Sequence, residues 1–126
     1  MLLELDFSLD MPIYLQIRNQ VVLGIADGRL KVGEKLPTIR ALANETGINM
    51  MTASKAYALL KQEGYIQADR RSGAVVCGEK KGGGLVSDAL KHGLKLLIAE
   101  AALSGVARQD FLELVTQLYH ETEGAK

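Results

Sequence analysis

Between Thr38 and Gly73 the chain gathers side chains suited to holding a polyanion. Arg40, Lys55, Arg70 and Arg71 carry positive charge, and Thr38, Asn49 and Thr52 add short hydrogen-bonding groups. Cations and hydroxyls of this kind can meet phosphate oxygens, provided that folding brings them onto one face. Met50 and Met51 stand between Asn49 and Thr52. A methionine can touch a thymine methyl group or a sugar, but it makes no bidentate hydrogen bond to a base. Catalysis has no comparable support, because no phosphate loop, nucleophile elbow or paired-carboxylate set is visible. His92 and His120 have no Cys or carboxylate at metal-ligand spacing and read as ordinary surface or tail-interface residues, so neither metal nor cofactor is expected.

These groups need a frame, and the frame is legible from turns and periodicity. Gly47-Ile48-Asn49 ends one helix and starts another: the glycine can turn left-handed, and the asparagine can accept from the next helix's free amides. Pro37 keeps the first helix from starting earlier, and the Thr38 hydroxyl can cap it. In the second helix Ala53, Ala56, Tyr57 and Leu60 recur at helical spacing and should face a core. At about 100° per residue, Met51, Lys55, Ala58 and Gln62 fall opposite, with Thr52 and Ser54 on the flanks. Gly64 should end this helix. Tyr65 to Ala68 and Ala74 to Cys77 then read as short strands of a hairpin whose charged tip holds Arg70, Arg71 and Gly73.

Upstream, Ile13, Ile17, Val21 and Ile25 mark an amphipathic helix that ends near Asp27-Gly28, and Leu30 to Leu36 reads as a connection. Met1 to Asp10 alternates apolar and acidic residues, which fits either a short strand or an ordered arm. Downstream, Gly82-Gly83-Gly84 reads as a linker. Beyond it Leu90, Leu94, Leu97 and Ala101 follow the spacing of a packed helix seam, Ser104-Gly105 breaks it, and Phe111, Val115 and Leu118 mark a second helix. Two such helices bury little alone, so a symmetric homodimer made through this tail is expected.

From about Met11 to Cys77 the chain resembles the GntR family of bacterial transcription regulators. The resemblance is carried by PIYLQIRNQVVLGIADGRL, KVGEKLP, the helix pair, EGYI and the wing. The short tail and the N-x-x-T-x-x-K-A-Y run from Asn49 to Tyr57 are similar to the YtrA subfamily. The resemblance implies a mainly α fold with a small β-hairpin: a winged helix-turn-helix over residues 1–78, a linker over 79–84 and a two-helix dimerisation region over 85–126. It also implies a repressor without cofactor that binds a two-fold related DNA operator. Arg40 takes the place of the DNA-contacting arginine of the family's PS-x-R pattern, here Pro37-Thr38-Ile39-Arg40. With the exposed face and the wing, the expected DNA-binding set is Arg40, Asn49, Met50, Met51, Thr52, Lys55, Arg70, Arg71 and Gly73. Two departures fall on it: relatives often have Pro and Asn where Met50 and Met51 stand, and a wing glycine is replaced by Arg71.

Charge supplies the counter-argument. Fifteen Lys and Arg balance fifteen Asp and Glu, whereas nucleic-acid binders are usually basic, so any positive patch must come from folding. A winged-helix protein-interaction module that has lost DNA binding is therefore the rival reading. The head of a larger enzyme is a second rival, for which 126 residues leave no room. The single Cys77 forms no internal disulfide and reads as a small apolar residue, in keeping with a reducing cytoplasm. No basic leader precedes an apolar run, and no stretch of about eighteen apolar residues occurs, so a cytoplasmic protein off the membrane is expected. An unidentified small-molecule effector could occupy a groove between tail and head or between subunits.

Overall fold

The computed structural model describes residues 3–69, 73–77 and 84–124. The chain divides into two compact units, Met1–Gly78 and Glu79–Ala125. The first runs α1 (Ile13–Ala26), β1 (Lys35–Leu36), α2 (Ile39–Thr46), α3 (Met50–Glu63), β2 (Ile66–Asp69) and β3 (Gly73–Val76). The second holds α4 (Asp88–Leu103) and α5 (Arg108–Gly124). The mainly helical architecture with a small hairpin is the one expected.

The sheet holds one strand more than the sequence suggested. Its order is β1-β3-β2, all antiparallel, with Lys35 opposite Val75 and Leu36 opposite Ala74. The supposed connection Leu30 to Leu36 thus ends in a strand too short to show a period; pairing with β3 makes it one. The hairpin strands also sit one residue away from where they were expected, so Tyr65 and Cys77 lie outside them and Gly73 begins β3. In β3, Ala74 and Val76 are buried and Val75 is half-buried, as alternation across a sheet requires.

The core forms where the helices meet this sheet. Ile17 and Val21 of α1, Leu42 and Ala43 of α2, Ala53, Ala56, Tyr57 and Leu60 of α3, and Ile66, Ala74 and Val76 of the strands make one buried cluster with Leu30 and Leu36. All four residues expected on the inner face of α3 are in it. Gly24 lets Leu30 close over α1: a Cβ there would lie 3.0 Å from Leu30 Cδ1. Tyr57 donates its hydroxyl to the Pro37 carbonyl at 2.7 Å, which ties α3 to the entrance of α2. Burial, with a smaller contribution from the Glu45 carboxylate, raises the Tyr57 phenol above its ordinary value and keeps it a donor. Tyr65 is half-buried against the core cluster, and the Arg18 guanidinium lies 5.6 Å from its ring centre.

The N-terminal segment is an arm rather than a strand, and two glutamines hold it. Gln16 accepts from the Asp6 amide at 2.9 Å and donates to the Asp6 carbonyl at 2.9 Å. One helical turn on, Gln20 accepts from the Glu4 amide at 2.8 Å and donates to the Glu4 carbonyl. Residues two apart on an extended chain span about the same distance as residues four apart on a helix, so the two carboxamides stand in for a neighbouring strand. Leu3 and Leu5 thereby pack against the core cluster.

In the second unit the Ser87 hydroxyl caps α4 by accepting from the Leu90 amide at 3.0 Å, and Ser104-Gly105 ends it. The seam expected along α4 is not closed within one chain. Leu90, Leu94 and Leu97 are 60%, 44% and 56% exposed, and Leu118 of α5 is exposed as well. Phe111 and Val115 are half-buried. At the elbow a groove of about 310 Å³ is lined by Ile98, Ala101, Ala102, Val106, Arg108, Phe111 and Leu112.

Tyr57→Phe removes one buried hydrogen bond and strands the Pro37 carbonyl. Urea unfolding should show a loss of about 1 kcal/mol, whereas Leu60→Ala, which opens a cavity, should lose about 2–5 kcal/mol.

Candidate nucleic-acid interface

Two capped helix starts, those of α2 and α3, frame the exposed surface. Thr38 Oγ1 accepts from the Ala41 amide at 3.0 Å, and Asn49 Oδ1 accepts from the Met51 amide at 2.6 Å. Between them Gly47 takes φ 72°, and the Gly47 and Ile48 amides both return to the Ala43 carbonyl. Only a residue without Cβ holds that conformation at no steric cost, so α3 can leave α2 within three residues. The first turns of α2 and α3 contain no carboxylate, whereas α4 and α5 carry Asp88 and Asp110 in theirs. Like α1, these two helices therefore present positive ends with no carboxylate beside them, which attract phosphate. This is local polarity that a zero net charge conceals.

The expected DNA-binding residues occupy different places on this surface. Arg40 is exposed on the first turn of α2. Asn49 is the N-cap of α3, so its Oδ1 is engaged by backbone. Met50 and Met51 are 49% and 78% exposed. Thr52 is half-buried, and Lys55 is exposed. Lys55 does not simply project outward: its Nζ lies 4.1 Å from the centre of the Tyr14 ring, a cation–π contact that leans it toward α1. Gly73 has φ 88°, and a Cβ there would lie 3.6 Å from Thr38 Cα, so the start of β3 sits beside the cap of α2. Arg70 and Arg71 lie outside the described residues.

Sequence reasoning missed two long-range contacts that support this surface. Arg18 of α1 forms a bidentate pair with Glu63 at the end of α3, Nε to Oε1 at 2.9 Å and Nη2 to Oε2 at 2.7 Å. Hydrogen bonding to that carboxylate raises the Arg18 guanidinium further, so one cation and one anion of the head are committed to structure. The other contact is Lys55 on Tyr14. The only signal for either was an arginine and a lysine on helices that also carry or adjoin aromatic residues, which is common. His92 and His120 are exposed, and no cluster of metal-binding side chains occurs among the described residues. No helix among them is long and apolar enough to cross a membrane.

If Asn49 caps α3, then Asn49→Ala should destabilise the fold by about 1 kcal/mol, and Asn49→Ser should retain most of the stability. Thermal unfolding without DNA reads this directly; equal stability of all three proteins would contradict the capping role.

The comparisons with known proteins agree with this geometry. A family model described as bacterial regulatory proteins, gntR family, matches residues 13–76. The chain is 33% identical over 128 residues to the HTH-type transcriptional repressor YtrA of Bacillus subtilis, a match that covers 99% of this chain and 98% of that one. Among solved structures, YtrA from Sulfolobus acidocaldarius, a GntR-family transcription factor, is 34% identical with a TM-score of 0.59, covering 94% of this chain and 97% of its own. A protein described as a transcriptional antiterminator from Listeria monocytogenes is 25% identical with a TM-score of 0.83, covering 94% and 90%. With the family model spanning helix-turn-helix and wing, and a relative matched from end to end, the chain belongs to the gntR family of bacterial regulatory proteins.

Proposed function

We propose that this DNA-binding transcriptional regulator works as a homodimeric repressor on a two-fold related operator. The observation that carries the reading is the two-sidedness of α3. One face is fully buried through Ala53, Ala56 and Leu60, and the opposite face, with Met51, Lys55, Ala58 and Gln62, is open. In this reading the first turn of α3 enters the major groove. Arg40 and the uncompensated start of α2 hold phosphates, Gly73 lets the wing approach the backbone, and Arg70 and Arg71 reach phosphates or the minor groove. Asn49 and Thr52 order the helix start and add contacts to the backbone, and Lys55 supplies charge from its seat on Tyr14. The repressor reading is supported by the full-length similarity to a relative named as a repressor.

The dimer rests on the exposed tail. Leu90, Leu94, Leu97 and Leu118 leave an apolar surface that a lone chain would show to water, and Phe111 and Val115 extend it. A second copy covers these faces and fills the elbow groove, and its symmetry matches that of the operator. A small-molecule effector acts in this reading by altering how the two tails pair. The chain works without a cofactor and in the cytoplasm.

Binding to a duplex from the promoter region of its own gene should weaken steeply with salt. Arg40→Ala should lower affinity on every sequence and reduce the salt slope by about one for each phosphate that the arginine neutralises. An unchanged slope would contradict the role of Arg40. Leu97→Glu should convert a dimer to a monomer in sedimentation equilibrium; a dimer that survives it would overturn the tail interface.

A further inference from the structure

The first turn of α3 shows water a side chain with nothing to offer a phosphate. Met51 is 78% exposed, more than any other large apolar side chain of the three head helices. At about 100° per residue it lies opposite the middle of the buried stripe formed by Ala53, Ala56, Tyr57 and Leu60. Ala58, two turns further on, falls close to the same line and is also exposed. The polar groups around Met51 are partly engaged: Asn49 Oδ1 accepts from the Met51 amide, and the Lys55 ammonium is drawn to Tyr14.

We propose that Met51 is a specificity-determining residue that reads the C5-methyl group of thymine in the major groove. The inference rests on the DNA-binding reading above and adds the chemistry of one contact. Core packing cannot account for Met51, because its side chain meets no core. Phosphate binding cannot either, because a thioether has no proton to donate. In the major groove each base pair presents donors and acceptors, and the thymine methyl is the apolar mark among them. A long, unbranched and polarisable side chain on the groove-facing line can close over that methyl and shed water from both. Preference for thymine then arises without a hydrogen bond.

The test begins with selection of duplexes from a random pool by the wild-type protein. Each thymine of the selected duplex is then replaced in turn by deoxyuridine, which lacks only the methyl group. At least one replacement per half-site should weaken wild-type binding by about fourfold, the worth of one buried methyl. The same replacement should leave Met51→Ala indifferent, while Met51→Leu keeps the effect, as a double-mutant cycle requires of contacting groups. Met51 is exposed, so the melting curve of Met51→Ala should match wild type and exclude misfolding as the cause. If no replacement weakens wild-type binding, or if Met51→Ala is weakened by the same factor, the methyl-reading role is wrong and DNA binding stands. If no duplex is retained even at low salt, the DNA-binding reading falls and takes this inference with it.

Discussion

The whole head depends on α3 burying one face completely. Ala53 and Ala56 have no exposed surface, and their small side chains let neighbouring elements approach the helix closely. Ile17 and Val21 bring α1 to it, Leu42 and Ala43 bring α2, and Ile66 brings the hairpin. Tyr57 then reaches past the core to the Pro37 carbonyl and fixes where α2 begins. With that side closed, Met51, Lys55 and Ala58 on the opposite side are exposed. The exposed face of α3 follows from core packing, and the proposed recognition surface is what packing leaves free.

Electrostatics work locally in the same frame. Arg18 is bound to Glu63 and Arg29 to Asp27, so two cations of the head have carboxylate partners. The hydrogen bond from Arg29 holds the Asp27 carboxyl below its ordinary value. Near the starts of α2 and α3, whose first turns lack carboxylates, the groups left for a polyanion include Arg40 and Lys55 over Tyr14. A neutral chain can thus present a positive surface, because helix ends and a few side chains act over distances shorter than the screening length.

Local signals made the helix-turn-helix legible. Thr38, Gly47, Asn49 and Gly64 each act within a few residues of themselves, and their caps and left-handed turns lie where the sequence placed them. Features that depend on distant partners were not legible. Lys35 and Leu36 are a strand only because Val75 and Ala74 pair with them, and the arm is ordered only because Gln16 and Gln20 lie one turn apart beneath it. The tail was read halfway. Its leucine spacing is that of a seam, yet periodicity does not say which chain supplies the other side, and within one chain Leu90, Leu94 and Leu97 stay exposed. Of the site, the cap role of Asn49 and the openness of Met51 came from position, whereas the lean of Lys55 toward Tyr14 needed the packed helices.

The central claim is that the first turns of α2 and α3 form the DNA-facing surface. A map of amide chemical-shift changes on titration with duplex DNA tests it most directly. The account predicts the largest changes at Thr38 to Ala41 and Asn49 to Lys55, with Gly73 following and the Ile17 to Val21 stretch of α1 unmoved. Changes centred instead on α1 or on the arm from Leu3 to Asp6, with the starts of α2 and α3 unmoved, would contradict it.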